Sequence, residues 1–88
     1  MKRKQGFEIM KIAGDYMVIP AGGSRGTFGG TAILNEVSAF LLNAMKTHIS
    51  EEELLEQLLK EYAVDRDTAR RDLRENINTF DELGLIER

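Results

Sequence analysis

Thr31-Ala32-Ile33-Leu34-Asn35-Glu36-Val37-Ser38-Ala39-Phe40-Leu41-Leu42 contains the point at which the chain changes period and so declares its architecture. Residues 31–34 are short and largely apolar, as a strand is. Asn35 is a good helix N-cap, because its side-chain oxygen satisfies an amide that the first turn leaves without a partner. Glu36 suits the positive end of the helix dipole, and Val37, Phe40, Leu41, Ala44 and Met45 keep helical spacing. Leu42 lies off that stripe, beside the core face. Upstream of Asn35 the chain reads as strand and turn, and downstream as helix.

Residues 7–34 hold six of the eight glycines and the only proline. Phe7-Glu8-Ile9-Met10-Lys11-Ile12 largely alternates, with Phe7, Ile9 and Lys11 on one side. Gly14-Asp15 supplies a turn, and Tyr16-Met17-Val18-Ile19 follows as a short apolar run ending at Pro20, so the pair predicts a β-hairpin. Residues 21–30 contain five glycines and read as a flexible loop. Residues 31–34 then form the third predicted strand.

Two more helices follow. Ser50-Glu51-Glu52-Glu53 is a capping box, in which Ser50 and Glu53 satisfy each other's backbone donors. Its helix carries Leu54, Leu55, Leu58, Leu59 and Tyr62 on one stripe. Asp65 caps the last helix, which buries Ala69, Leu73, Ile77, Phe80 and Leu83. Gly84 fits the left-handed position that ends many helices, and Leu85-Ile86 is expected to fold back onto the sheet. The prediction is one α+β domain over residues 1–88, winged helix-turn-helix-like. A three-stranded antiparallel sheet (within 7–34) is followed by three helices (35–84), in the order β-β-β-α-α-α.

Composition limits function. Eighty-eight residues suffice for one small core. The absence of cysteine excludes disulfides, zinc–thiolate sites, iron–sulfur clusters and thiol nucleophiles, and suits a reducing cytoplasm. No apolar run approaches the ~20 residues of a membrane span. The basic start, Met1-Lys2-Arg3-Lys4, is followed by Gln5-Gly6-Phe7-Glu8, where a signal peptide would turn apolar. A net charge of −3 argues against general nucleic-acid binding, whose affinity comes from neutralising phosphates.

No enzyme is visible. The glycine loop lacks the lysine of a P-loop, and Gly23, Gly26 and Gly29 are evenly spaced, which is not the dinucleotide pattern. His48, with Glu51 and Glu52 nearby, has no second histidine or cysteine to complete a metal site. The glutamates of residues 51–62 form a polar arc that solvates the helix. No catalytic residue, cofactor or metal is therefore assigned.

The arginines of the last helix are more informative. Arg66, Arg70 and Arg74 recur every four residues along one border of its apolar stripe, and Arg71 widens the strip. Two readings stand open. One is surface salt bridging with Asp67, Asp72 and Glu75. The other is a flank that binds carboxylates through guanidinium forks. A winged-helix DNA-binding regulator is the alternative class, because its third helix would read DNA. Five glutamates against one lysine in residues 51–62 oppose that docking.

Residues 34–42 also resemble the "LNExxAFLW" helix opening of the PqqD family. Ser50-Glu51-Glu52-Glu53-Leu54 is similar to its "T-x-E-E-L" start, and residues 59–65 to its "L-x-E-Y-D-V-D". Asp72-Leu73, Ile77, Phe80 and Leu83-Gly84-Leu85-Ile86 resemble its closing pattern. Tyr16-Met17-Val18-Ile19-Pro20 and Phe28-Gly29-Gly30 resemble the strand and loop of stand-alone members. Leu42 stands where the family often has tryptophan, removing an aromatic near the edge of the core, and Ala63 replaces a common aspartate. The resemblance implies a RiPP recognition element, a peptide chaperone of natural-product biosynthesis. Such a module is non-catalytic, binds the leader of a ribosomally made precursor peptide by strand addition and presents it to a radical S-adenosylmethionine maturase or another peptide-modifying enzyme. On that reading Thr31, Ala32, Ile33 and Leu34 form the ladder, with Ala32 and Leu34 facing the core. Arg66, Arg70, Arg71 and Arg74 receive leader carboxylates. The expected assembly is a monomer or a weak homodimer, with strand exchange through residues 21–30 as one route to the latter.

Overall fold

A computed structural model describes residues 1–20 and 32–88. The expected glycine-rich loop and Thr31 lie outside the described residues. In chain order the elements are β1 (Lys2–Arg3), β2 (Phe7–Ile12), β3 (Asp15–Pro20), β4 (Ala32–Leu34), α1 (Glu36–Ala44), α2 (Glu51–Glu61), α3 (Arg66–Glu82) and β5 (Ile86–Glu87). The predicted three-stranded antiparallel sheet, followed by three helices, is present as β2-β3-β4 and α1-α2-α3.

The β2–β3 hairpin runs in register from Phe7↔Pro20 to Ile12↔Asp15. Its two-residue turn is therefore Ala13-Gly14, one position earlier than the expected Gly14-Asp15. Both residues have positive φ, 52° at Ala13 and 87° at Gly14. This is the geometry of a type I′ turn, whose twist matches that of the flanking strands. Gly14 adopts it without penalty, whereas the Cβ of Ala13 opposes it. Ala13→Asn should raise stability by about 0.5–1 kcal/mol, because asparagine tolerates the left-handed region. In a domain of this size that is a gain of roughly 2–8 °C in Tm. A thermal melt showing no gain would contradict the turn assignment.

Alternation across the sheet then sorts the side chains. Phe7, Val18 and Leu34 are buried, while Met10, Ile12 and Ile33 are exposed. Each helix starts at its predicted cap. The Asn35 side chain accepts from the Ser38 N–H at 2.8 Å. Ser50 and Glu53 exchange two bonds of 3.1 Å each. Asp65 accepts from the Thr68 N–H at 3.2 Å, and its bonding to Thr68 holds its carboxyl below the usual range.

Packing departs from expectation in α1 and at the C-terminus. The α1 face buries Ser38, Ala39, Leu41, Leu42 and Met45, while Val37, Phe40 and Ala44 are only partly covered. Helix α1 touches both β4 and α2, so its covered arc is wider than a single stripe. Leu42 accordingly sits fully inside the core and not at its edge. Leu83 is exposed, because α3 stops there. Gly84 turns with φ 73°, its N–H donates to the Asp81 carbonyl at 3.1 Å, and the Leu85 N–H donates to the Phe80 carbonyl at 2.9 Å. This Schellman closure carries Leu85 into the core in place of Leu83.

Residues 85–86 do not join the three-stranded sheet. Strand β5 pairs instead with β1, Lys2↔Glu87 and Arg3↔Ile86. The basic N-terminal residues, for which the sequence predicted no element, are bonded into the fold on several sides. Arg3 N–H donates to the Met45 carbonyl at 2.9 Å, and Lys4 N–H to the Leu85 carbonyl at 2.8 Å. The terminal amine of Met1 donates to the Ile49 carbonyl at 2.9 Å. A two-residue strand is too short to leave a period, so only the pairing reveals it.

Candidate functional site

Strand β4 pairs with β3 on one side and, among the described residues, ends the sheet on the other. Which backbone groups face the open edge follows from the register. A two-residue turn closes on a hydrogen-bonded pair, here Ile12 and Asp15, and such pairs alternate along antiparallel strands. Asp15 and Met17 thus point their backbone groups toward β2, while Tyr16 and Val18 point theirs toward β4. Leu34 and Ala32 stand opposite Tyr16 and Val18 and are bound to β3. Ile33, opposite Met17, is the residue of β4 whose N–H and C=O both face outward.

That edge borders a groove of about 330 Å³ between β4 and α3. Ile33, Leu34 and Asn35 line its strand side, and Asn76, Thr79, Phe80 and Leu83 line its helix side. Ile33 and Leu83 stand exposed on its rim, at 69% and 40% accessibility, and its floor holds the buried Leu34 and Phe80. Beneath it the Ser38 hydroxyl donates to the Asn76 side-chain oxygen, tying α1 to α3. Asn76 in turn donates to the Asp72 carbonyl at 2.9 Å, and Thr79 to the Glu75 carbonyl at 3.0 Å. These polar side chains are engaged within the fold, and with Glu75 they give the groove a mixed polar and apolar lining beside the outward backbone groups of Ile33.

The predicted strand residues described here, Ala32, Ile33 and Leu34, therefore lie at this edge, with Leu34 facing the core and Ile33 outward. The arginines lie elsewhere on α3. Arg66 meets Glu56 at 2.8 Å, and Arg74 meets Glu51 at 3.3 Å. Arg70 forks onto Glu52 and also lies 3.5 Å from Glu51. The bond to Arg70 holds the Glu52 carboxyl below its usual range and raises the guanidinium in return. These partners come from α2, not from Asp67, Asp72 or Glu75 on the same helix. The arginine border of the stripe thus faces α2, and the opposite border, carrying Asn76, Thr79 and Leu83, faces β4. Arg70, Arg71 and Arg74 do share a shallow depression on α3, whose wall residue Glu75 also lines the groove. Arg71 is the most exposed of the four, with Asp72 4.0 Å away.

Asn76, Thr79 and Leu83 were missed as site residues. Their spacing of three and four places them on one helix face, but polar positions beside a stripe do not announce which border meets a strand. Among the described residues no cluster of His, Cys, Asp or Glu is grouped to hold a metal. No helix is long and apolar enough to cross a membrane among them.

A three-helix unit with a small sheet, one edge of it open among the described residues beside the last helix, defines a winged helix-turn-helix-like module with a groove along that edge. The chain belongs to the PqqD family, described as coenzyme PQQ synthesis protein D, whose pattern matches residues 17–86. Two solved structures share the fold. One is TbiB1 in complex with the TbiA(beta) leader peptide, at TM-score 0.75 and 23% identity, covering 99% of this chain and 95% of that one. The other is lasso peptide synthetase B1 complexed with the leader peptide, at TM-score 0.73 and 18% identity, covering 99% and 96%. No curated protein sequence matches the chain significantly.

Proposed function

We propose that this chain is a non-catalytic RiPP recognition element of the cytoplasm. It binds the leader of a ribosomally made precursor peptide as a strand added to β4 and presents it to a modifying enzyme, a radical S-adenosylmethionine maturase. The observation that carries this reading is the outward N–H and C=O of Ile33 beside a groove with apolar Ile33 and Leu83 exposed on its rim. Strand addition draws affinity from backbone bonds and selectivity from pockets for alternate side chains. The two structural neighbours are themselves complexes with leader peptides, which supports the same ligand class here. Residues 31–34 supply the ladder. Arg71, the most exposed of the four arginines, receives carboxylates from leader residues beyond the groove, while Arg66, Arg70 and Arg74 hold α2. The module works as a monomer or weak homodimer.

Duplex DNA is the weaker partner. A reader helix needs its arginines available to phosphates and base edges, and three of the four here meet glutamates of α2. The reading predicts a short precursor gene beside this one. The N-terminal segment of that precursor, fluorescein-labelled, should give saturable polarisation with the protein. Duplex DNA binding with a steep salt slope and no response to the peptide would favour the regulator instead.

A further inference from the structure

A second recess, of about 470 Å³, opens on another face of α1. Tyr16 from β3, Phe40 from α1 and Tyr62 at the end of α2 form its aromatic walls, and Glu36 and Glu61 stand at its margin. Two of these rings are in contact. Phe40 and Tyr62 meet edge to face, with centroids 5.6 Å apart and planes at 88°. The Tyr62 hydroxyl donates to the Glu36 carboxylate at 3.4 Å. Neither Glu36 nor Glu61 forms an ion pair with a described residue, so both charges bear on the recess. Burial, with these two carboxylates adding to it, holds the Tyr62 phenol above its usual range. One wall already attracts a cation of the chain itself, since the Lys11 ammonium lies 5.4 Å from the Tyr16 ring centroid.

Aromatic faces attract cations through their quadrupole, and a nearby carboxylate adds charge and, for a guanidinium, paired hydrogen bonds. An anion would be repelled, and a neutral group would gain only contact area. Helix α1 presents Asn35 and Ser38 to the β4–α3 groove but Glu36, Phe40 and Asn43 to this recess, so the two sites are separate. We propose that this recess binds the cationic side chain, arginine or lysine, of a peptide or protein partner. It does not depend on the leader-binding reading.

The chain has two tyrosines and no tryptophan, and both tyrosines line this recess. Intrinsic tyrosine fluorescence is therefore a reporter confined to it. The test titrates the full chain with acetyl-Gly-Arg-Gly-amide, its lysine analogue, its citrulline analogue and tetramethylammonium at constant ionic strength. The arginine or lysine tripeptide should give a saturable change with Kd on the order of 1 mM, and the citrulline peptide none. A Glu36→Gln/Glu61→Gln variant should weaken the response at least about tenfold while its thermal melt is retained. Equal response to citrulline, no saturation, or a response that survives the double substitution would overturn the proposal. Tetramethylammonium saturating at lower concentration than either tripeptide would assign the recess to a free quaternary ammonium and overturn the peptide source.

Discussion

Ile33→Pro is expected to weaken leader-peptide binding by about 100-fold, combining a lost ladder bond with a ring that blocks close approach. The fold should survive. Proline is tolerated on edge strands where its missing N–H would face solvent, and the hairpin register places the Ile33 N–H on that side. Leu34→Pro is the informative contrast. Its N–H faces β3, so proline there should lower the melting temperature as well as the affinity. Ile33→Ala, which keeps the donor but trims the exposed rim, should cost only a few-fold in affinity, since little apolar area is lost. Polarisation titrations with parallel thermal melts separate the three. Unchanged affinity for a folded Ile33→Pro protein would end the strand-addition reading.

Phe80→Ala is expected to cost about 3–5 kcal/mol, through lost transfer energy and the cavity left behind. The ring is fully buried, forms part of the groove floor, and its residue anchors the Leu85 N–H that closes α3. A chain of this length has a total stability of roughly 4–13 kcal/mol, so urea unfolding should show much of it gone. Phe80→Leu keeps most of the volume and should cost about 1 kcal/mol, while still altering the floor presented to a ligand. Loss of peptide affinity in a Phe80→Leu protein that melts nearly normally would separate the two roles. A loss of less than 1 kcal/mol in Phe80→Ala would contradict the packing described above.

Much of the architecture was legible because its signals are local. Asn35, Ser50 and Asp65 cap their helices within three residues of the amides they serve, so position in the chain suffices to recognise them. The β2–β3 hairpin was equally visible, although Ala13 does not advertise a left-handed conformation and the turn was placed one residue late. What escaped depends on partners distant in sequence. Strand β1 exists only because β5 returns to it some eighty residues later. The arginine strip of α3 was found, but its direction was not. A helix bordered by charge on one side and by Asn76 and Thr79 on the other looks the same in sequence whichever border meets β4. The α2 glutamates decide it, since Glu51, Glu52 and Glu56 draw Arg66, Arg70 and Arg74 away from the groove. The acidic arc that solvates α2 thus also pairs with the arginines of α3.

Amide hydrogen exchange at Ile33, read by NMR with and without a saturating precursor N-terminal segment, tests strand addition most directly. The account predicts that the Ile33 amide slows markedly when the peptide binds, while the Leu34 amide, already bonded to β3, changes little. An Ile33 amide that exchanges as fast in the saturated complex as in the free protein would contradict it.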